Sequence, residues 1–355
     1  MVDLLNISET ILITILGALG LSLFGIVFGL LYKGIDRKLA AHMQGRIGPP
    51  IIQPFRDIGK LFTKENIVPE NAIEWIFHIA PIAGLVTSIS ILLYLPVGGF
   101  DPLLSTNGDL ILVLYLLILP SLALVIGGFA SGSPYATVGA QREMATMIAY
   151  EFPLAIIIIG IAWRLNIEGA GSVFALSTIT ANPLWNIIGP LGFIGMILLL
   201  LALVIVTPSE LSKIPFDSPE AETEIAEGLM VEYSGRNLAM FYLTDGVKTV
   251  VMASLIVALF FPYNLSGVFG LTNISAIAVD IIFYLLKVFL VILFSVTLIR
   301  VAVARLKIDQ IVYTYWVPLT LLALVGLICM MWDVWTLSSP PNGLGLEPLF
   351  ALLPF

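Results

Sequence analysis

The chain is poor in the residues that hold redox centres. Among 355 residues there is one cysteine, Cys329, and there are two histidines, His42 and His78. An iron–sulfur cluster usually takes four cysteine ligands, and a zinc site takes several cysteines or histidines. The sequence therefore excludes both kinds of centre held by this chain alone, and it excludes a disulfide framework. We expect Cys329, within an apolar run, to pack as a small hydrophobic residue.

Charge is scarce as well. Only 11% of the residues are charged and 59% are hydrophobic, with a mean hydropathy of +1.04, whereas soluble domains carry about 25% charged residues. So few charges cannot cover a water-facing surface. Continuous apolar runs of about 20 residues, the length of a membrane-spanning helix, recur along the whole chain. The sequence predicts an all-α, polytopic membrane protein.

Eight spans can be predicted, and we find no convincing internal repeat, which argues against an inverted-repeat transporter. We therefore expect residues 1–355 to form a single integral membrane domain. The predicted spans are 10–32, 74–95, 109–130, 143–163, 188–207, 238–261, 278–299 and 311–333.

Basic residues are distributed unevenly between the loops. The first, third, fifth and seventh loops hold nearly all of them, whereas the termini and the other loops together offer only Arg164. Lys and Arg favour the cytoplasmic side. The pattern predicts that the odd-numbered loops face the cytoplasm and that both termini lie outside.

The fifth loop, 207–237, carries seven acids against two bases, a net charge of −5. A solvated acidic loop is one interpretation, but apolar residues interleave the acids, which is untypical of disorder. Ser218-Pro219-Glu220 predicts a helix start, and a helix there would place Glu220 and Glu224 on one face. Like charges so close would share protons, so we interpret the loop as a proton-handling segment. Its acids are Glu210, Asp217, Glu220, Glu222, Glu224, Glu227 and Glu232.

Ionisable residues within spans are costly in hydrocarbon and are candidates for ion or proton pathways. Structural alternatives remain for some of them: Arg142 and Glu143 would lie at the headgroup boundary, and Asp245 and Lys248 would form a buried ion pair. For Glu151 and Lys287, which lie deeper in their spans, we favour a functional role. The candidates are Glu143, Glu151, Asp245, Lys248 and Lys287.

The first loop, 33–73, contains a predicted amphipathic helix. Its apolar face would carry Ile51, Ile52, Phe55, Ile58, Leu61 and Phe62, and its polar face Arg56, Asp57, Lys60 and Lys64. This pattern is typical of a helix lying along the membrane surface. Membrane anchoring explains it, and a docking surface for a soluble partner explains it equally well.

Several segments together resemble a known family. They are DRKLAAHMQGRIGP and QPFRDIGKLFTKE in the first loop, REMATMIAYEFPLA at the fourth span, SELSKIPFDSPEAETEIAEGLMVEYSG in the fifth loop and VAVARLKIDQ before the last span. The sequence resembles the H-type membrane subunit of respiratory complex I, also called NADH dehydrogenase subunit 1, and its relatives in membrane-bound [NiFe] hydrogenases. The resemblance covers almost the whole chain in the same order.

The resemblance implies roles for acids already selected. Family members line a polar path into the membrane with glutamates, at the positions that Glu151, Glu210, Glu220, Glu222 and Glu224 occupy here. Asp217 is the aspartate of the Pro-Phe-Asp motif near the junction with the redox arm, and Glu232 is the acid of the Glu-Tyr pair. Asp245 stands where many members have Glu.

The resemblance also implies a docking surface for the peripheral redox arm. The charged residues expected to contact that arm are Arg37, Arg46, Arg56, Asp57, Lys60, Lys213, Arg236, Arg300 and Arg305. One segment departs from the quinone-reducing members, because GPPIIQP in the first loop is shorter than their insertion. This favours a complex whose soluble arm oxidises ferredoxin and reduces protons or another small acceptor.

The leading hypothesis is a non-redox anchor subunit that couples electron transfer to H⁺ or Na⁺ translocation in a prokaryotic plasma membrane. No cofactor is expected in this chain; iron–sulfur clusters, and a NiFe centre in a hydrogenase, would belong to peripheral subunits. Antiporter-like membrane subunits and the lipid bilayer are the other expected partners, and no nucleic acid is expected. The alternatives are the quinone-site subunit of an NADH or reduced-coenzyme dehydrogenase, a stand-alone secondary transporter and a passive anchor.

Overall fold

The computed structural model describes residues 2–338 apart from 168, 170, 271 and 272, with the backbone alone at 2–11, 268, 337 and 338. All regular secondary structure in that part of the chain is helical. The α-helices are α1 (Val2–Met43), α2 (Gln53–Thr63), α3 (Glu74–Leu92), α4 (Asp109–Ala130), α5 (Pro134–Ile167), α6 (Leu176–Ala181), α7 (Pro190–Glu210), α8 (Glu222–Ile225), α9 (Gly235–Phe260), α10 (Ser266–Phe269), α11 (Asn273–Ile292), α12 (Leu298–Ala302), α13 (Ile308–Thr314) and α14 (Thr320–Ser338).

Eight helical stretches of the described chain are long and apolar enough to cross a membrane. They are Leu12–Met43, Glu74–Leu92, Asp109–Ala130, Pro134–Ile167, Pro190–Glu210, Gly235–Phe260, Asn273–Ala302 and Ile308–Thr336. The all-helical, eight-span prediction is confirmed, because each stretch overlaps one predicted span. Successive spans alternate in direction, so the odd-numbered loops share one face, called here the odd-loop face, and the even-numbered loops share the even-loop face.

Helix α9 lies at the centre of the domain. It packs against α1, α3 and α11, and every residue from Val247 to Phe260 is buried. Helix α1 instead exposes Leu12, Ile13 and Leu16 on its outer side. Because lipid tails are as apolar as these side chains, close packing and buried polar contacts hold the helices together.

Two glycines set the crossing of α1 and α9. A Cβ added at Gly29 would lie 2.5 Å from the carbonyl carbon and oxygen of Gly246. Backbone atoms cannot give way as a flexible side chain can, so the two helices cross at a distance that only glycine permits. This contact fixes the height of α1 against the charged part of α9.

The first loop contains the expected amphipathic helix, α2. Its residues Ile58 and Leu61 are buried, and Ile58 joins Leu30 of α1 and Leu243 of α9 in one apolar cluster. Ile52 and Phe62 of the predicted apolar face stay exposed. The buried side of α2 therefore lies against this protein itself.

The predicted continuous helix in the fifth loop is wrong. A 3₁₀ turn, Ser218–Glu220, precedes the single turn α8, and a second 3₁₀ turn, Gly228–Met230, follows. Ala226 and Glu227 adopt left-handed φ values of 49° and 71°, which a right-handed helix cannot contain. The loop instead lies on α5, where a Cβ on Gly139 would be 2.8 Å from the nitrogen of Leu229.

We expect Gly29→Ala to destabilise the folded domain by about 1–3 kcal/mol, because the added methyl group forces the α1–α9 backbones apart. Gly20→Ala is the matched control on the same helix, since nothing lies within 4 Å of its Cβ position. Thermal unfolding of both purified variants measures the difference. Equal melting temperatures would contradict the proposed close contact.

Candidate functional site

One deeply buried polar contact joins three helices. The Lys248 ammonium on α9 lies 2.8 Å from Oε1 of Glu210, the last residue of α7. It also donates a hydrogen bond of 2.6 Å to the hydroxyl of Ser121 on α4. Glu210 is 2% exposed and Lys248 6% exposed. A charge so deeply buried requires a compensating partner, and these two residues supply it to each other.

A second buried acid lies beside this pair. Glu143 on α5 is 2% exposed and interacts electrostatically with both Lys248 and Glu210. The hydroxyl of Ser212 approaches its carboxylate at 3.3 Å. Ser212 has a left-handed φ of 47°, an uncommon conformation for serine, and it lies two residues beyond the end of α7. One ammonium therefore serves two buried carboxyl groups.

Two turns further along, α5 extends the polar region. Tyr150 is buried and interacts electrostatically with Glu210 and Glu143. Glu151 is half-buried and lies within electrostatic reach of Glu210. The structure thus brings three of the predicted path residues to one place: Glu143 and Glu151 of the fourth span and Glu210 of the fifth loop.

Asp245 forms a separate centre on α9. Its carboxylate lies 2.6 Å from the Lys33 ammonium of α1 and 2.7 Å from the Lys213 ammonium of the fifth loop. The alternative of an Asp245–Lys248 ion pair is wrong, because each residue takes its partners from other elements. Asp245 consequently ties the end of the first span to the fifth loop.

A small cavity of about 40 Å³ lies between the two centres. A single water needs only about 10–15 Å³ of such space, so the cavity has room for more than one water. Its polar lining comes from α4, α5, α7, the fifth loop and α9. The residues that supply it are Ser121, Glu143, Glu210, Ser212, Glu220, Thr244, Asp245 and Lys248.

Glu220 is the second acid of the fifth loop, after Glu210, that lines this cavity. Burial raises the pKa of its carboxyl group to about 7, although the nearby Lys213 ammonium favours the ionised form. Its proton is therefore gained or lost close to neutral pH. A group with such a pKa can pass protons in either direction.

Apart from Glu210 and Glu220, the acids of the loop do not line this cavity. Asp217 makes a bidentate contact with Arg305 of the seventh loop, with Nε 2.8 Å from Oδ1. Glu224 lies 2.6 Å from Arg142 at the start of the fourth span. These pairs tie the fifth loop to its neighbours. Of the remaining predicted path acids, Glu222 and Glu227 are exposed and Glu232 is half-buried.

Lys287 lies apart from the acids. Its ammonium donates hydrogen bonds of 2.9 and 2.8 Å to the carbonyls of Phe261 and Tyr263, just beyond α9. Phe261 is 13 residues from Lys248, about 20 Å along a helix. The structure therefore places Lys287 towards the even-loop face.

The predicted docking residues divide into two groups. Arg46, Arg56, Lys60 and Arg236 are exposed on the odd-loop face. The others are engaged within the chain: Arg37 contacts Asp57 at 3.4 Å, Arg300 contacts Asp36 at 3.0 Å, and Lys213 and Arg305 make the pairs described above. In the described residues no group of three or more His, Cys, Asp and Glu side chains is placed to hold a metal ion.

Comparisons with known proteins agree on one family. The sequence model of the family described as NADH dehydrogenase matches residues 16–331. The chain belongs to the NADH dehydrogenase family, that of the H-type membrane subunit of complex I. Hydrogenase-4 component C of Escherichia coli (strain K12) is 35% identical over 83% of this chain and 89% of its own length.

Two further relatives extend the comparison. An H-type membrane subunit of NADH-quinone oxidoreductase from Koribacter versatilis (strain Ellin345) is 31% identical over 70% of this chain, which spans 62% of that relative's length. A chain in the solved structure of the membrane-bound sulfane sulfur reductase, an archaeal respiratory membrane complex, is 30% identical with a TM-score of 0.77. That match covers 89% of this chain and 99% of the other. This family thus supplies subunits of respiratory oxidoreductase complexes.

Some residues of this site could not be singled out from the sequence. Lys33 looks like one of seven basic residues in the first loop, yet it extends from α1 to Asp245. Ser121 and Ser212 carry no motif of their own. A serine after a proline within an apolar span, as in Pro120-Ser121, is the one local signal that could have indicated Ser121.

Asp245→Asn should destabilise the domain by roughly 3 kcal/mol, because it leaves the Lys33 and Lys213 ammonium groups without their shared counter-ion. Asp57→Asn is the matched control. It breaks a more exposed pair with Arg37 and should change stability by less than about 1 kcal/mol. Thermal unfolding of the purified protein gives both values. A smaller effect at Asp245 than at Asp57 would contradict the assignment.

Infrared difference spectra should show a carboxyl band of Glu220 that disappears as the pH rises through about 7. The sign follows from the raised pKa: the group is neutral below that pH and negatively charged above it. Glu220→Gln should remove this part of the titration, whereas Glu70→Gln, an exposed acid of the first loop, should retain it. Identical spectra for Glu220→Gln and the parent protein would rule out this titration.

Proposed function

We propose that this chain is the non-redox membrane-anchor subunit of a complex I-related respiratory complex in a prokaryotic plasma membrane. It docks a peripheral redox arm and couples electron transfer there to translocation of H⁺ or Na⁺. The observation that carries the proposal is the pair of buried carboxyl groups, Glu143 and Glu210, around the single ammonium of Lys248. A passive anchor would have no use for them.

Charge balance gives the cluster its proposed action. One ammonium compensates one carboxylate. Glu143, Glu210 and Lys248 together therefore carry no net charge when one of the two acids is protonated. That proton can move between Glu210 and Glu143, and Glu220 connects the cavity to the odd-loop face. A redox event that displaces the fifth loop would alter the contact of Asp245 with Lys213, and with it the field that the acids experience.

The proposed docking surface lies on the odd-loop face. Ile47 is 97% exposed and Ile52 58% exposed, beside the exposed bases Arg46 and Arg56. Exposed apolar residues rimmed by charge are typical of protein–protein contacts. We assign this surface to peripheral iron–sulfur or hydrogenase-like subunits. The apolar outer sides of the spans are assigned to lipid and to antiporter-like membrane subunits.

The short first loop and the similarity to Hydrogenase-4 component C and to the sulfane sulfur reductase chain support ferredoxin oxidation with reduction of protons or a sulfur-type acceptor. The second candidate is a quinone site. In its favour are the NADH-quinone relative and a cavity of about 270 Å³ between α1, α2 and α9. Extraction of the purified complex for bound quinone, together with acceptor assays, separates the two candidates.

The coupling role predicts separate effects on electron transfer and on ion movement. Complexes with Glu210→Gln or Glu143→Gln should lose most of the ions moved per electron, because the relay lacks a proton carrier. Both activities are measured in liposomes holding the whole complex. Glu70→Gln, which removes an exposed acid of the first loop, is the control and should couple normally. Full, normally coupled translocation in both buried-acid variants would overturn the proposal.

A further inference from the structure

A second cavity opens at the opposite face of the domain. Its volume is about 240 Å³, and loops two, four and six contribute to its wall together with α9 and α11. The lining is polar in several places, with Asp101, Thr180, Asn264, Tyr284 and Lys287 among its residues. Such a space holds several waters, because one water needs only about 10–15 Å³ of it.

The floor of this cavity includes Tyr284, which contacts a second buried hydroxyl group. The Tyr284 hydroxyl on α11 lies 2.5 Å from the hydroxyl of Ser254 on α9. Tyr284 is 4% exposed and Ser254 0% exposed. Both lie in the hydrophobic interior, and the Ser254 hydroxyl also lies 2.6 Å from the carbonyl of Val250.

A third hydroxyl continues towards α1. Tyr32 is buried and donates a hydrogen bond of 2.8 Å to the carbonyl of Leu285, and its hydroxyl interacts electrostatically with Tyr284. The next residue, Lys33, carries the ammonium that contacts Asp245. Polar groups therefore reach from the cavity floor to the level of the Asp245 centre.

Helix α9 itself has no polar side chain between Thr249 and Ser254. Ser254 lies nine residues beyond Asp245, about 13 Å along the helix. The residues just before Ser254, from Val250 to Ala253, are buried and apolar. The hydroxyl of Tyr32 on α1 bridges this level instead.

We propose that the even-loop cavity is the second aqueous mouth of the proton path, joined to the acid cluster through Ser254, Tyr284 and Tyr32. The inference rests on the proposed function and extends it to the other side of the membrane. In each step a hydroxyl oxygen accepts a proton from one side and releases its own proton to the other side. One proton is moved along the path, and every hydroxyl group keeps its number of protons.

The hydroxyl groups also determine which ion this path carries. A proton passes along them by exchange of their own O–H protons, whereas a metal ion needs a continuous series of oxygen ligands that replace its hydration shell. We therefore assign H⁺, and not Na⁺, to this mouth.

The test uses the whole complex with Cys329→Ala as background. Thr180→Cys places a thiol in the cavity, and Asn107→Cys places one on an exposed part of the second loop. Both are treated with a bulky, charged thiol reagent before reconstitution into liposomes. We expect the treated Thr180→Cys complex to lose proton translocation while electron transfer continues, and the treated Asn107→Cys complex to lose none.

A second variant checks the hydroxyl relay without a bulky label. Tyr284→Phe keeps the ring and removes the hydroxyl, and it should also lose proton translocation. Normal translocation in labelled Thr180→Cys or in Tyr284→Phe would overturn the proposal, as would a Thr180→Cys thiol that does not react. Translocation that requires Na⁺ would overturn the assignment of the ion.

The outcomes separate this inference from the proposed function. If Glu210→Gln abolishes translocation while Tyr284→Phe translocates normally, the second mouth is refuted and the coupling role stands. If Glu210→Gln translocates normally, the coupling role itself is refuted, and the inference is refuted with it.

Discussion

The ammonium of Lys248 lies among polar side chains from α4, α5 and α7, in a chain of which only 11% of the residues are charged. Its contact with Glu210 at 2.8 Å makes it possible to keep Glu143 in the same interior, and the hydroxyl groups of Ser121 and Ser212 complete the shell. Removing the Lys248 ammonium would leave the buried acids without a counter-charge in a medium where that is most costly. The helix ends around the cluster are therefore constrained by charge as much as by shape.

The same constraint organises the odd-loop face. Asp245 links the first and fifth loops, Asp217 links the fifth and seventh, and Glu224 links the fifth to the start of α5. These acids find their bases on different elements. The fifth loop is consequently an ordered cover over the acid cluster, although it contains only short helical turns.

The spans could be predicted from the sequence because crossing a bilayer is a local property of length and apolar content. The acids were also predicted, since an ionisable residue in an apolar run stands out by itself. Their partners could not be predicted in the same way. Asp245 and Lys248 are three residues apart, yet Asp245 contacts Lys33, 212 residues away in the chain. The prediction of a continuous helix in the fifth loop was wrong because Gly139 lets that loop pack on α5. This tertiary contact overrides the local helix signals.

The buried position of α9 has a consequence for biogenesis. A helix with both Asp245 and Lys248 enters a bilayer poorly by itself, since each such charge at a helix centre costs about 2.5–3.5 kcal/mol. Lys33 and Glu210, which compensate these charges, belong to spans that precede α9 in the chain. The order of synthesis thus delivers the counter-charges first. The sixth span can therefore insert against spans that are already in place, instead of lying alone in lipid.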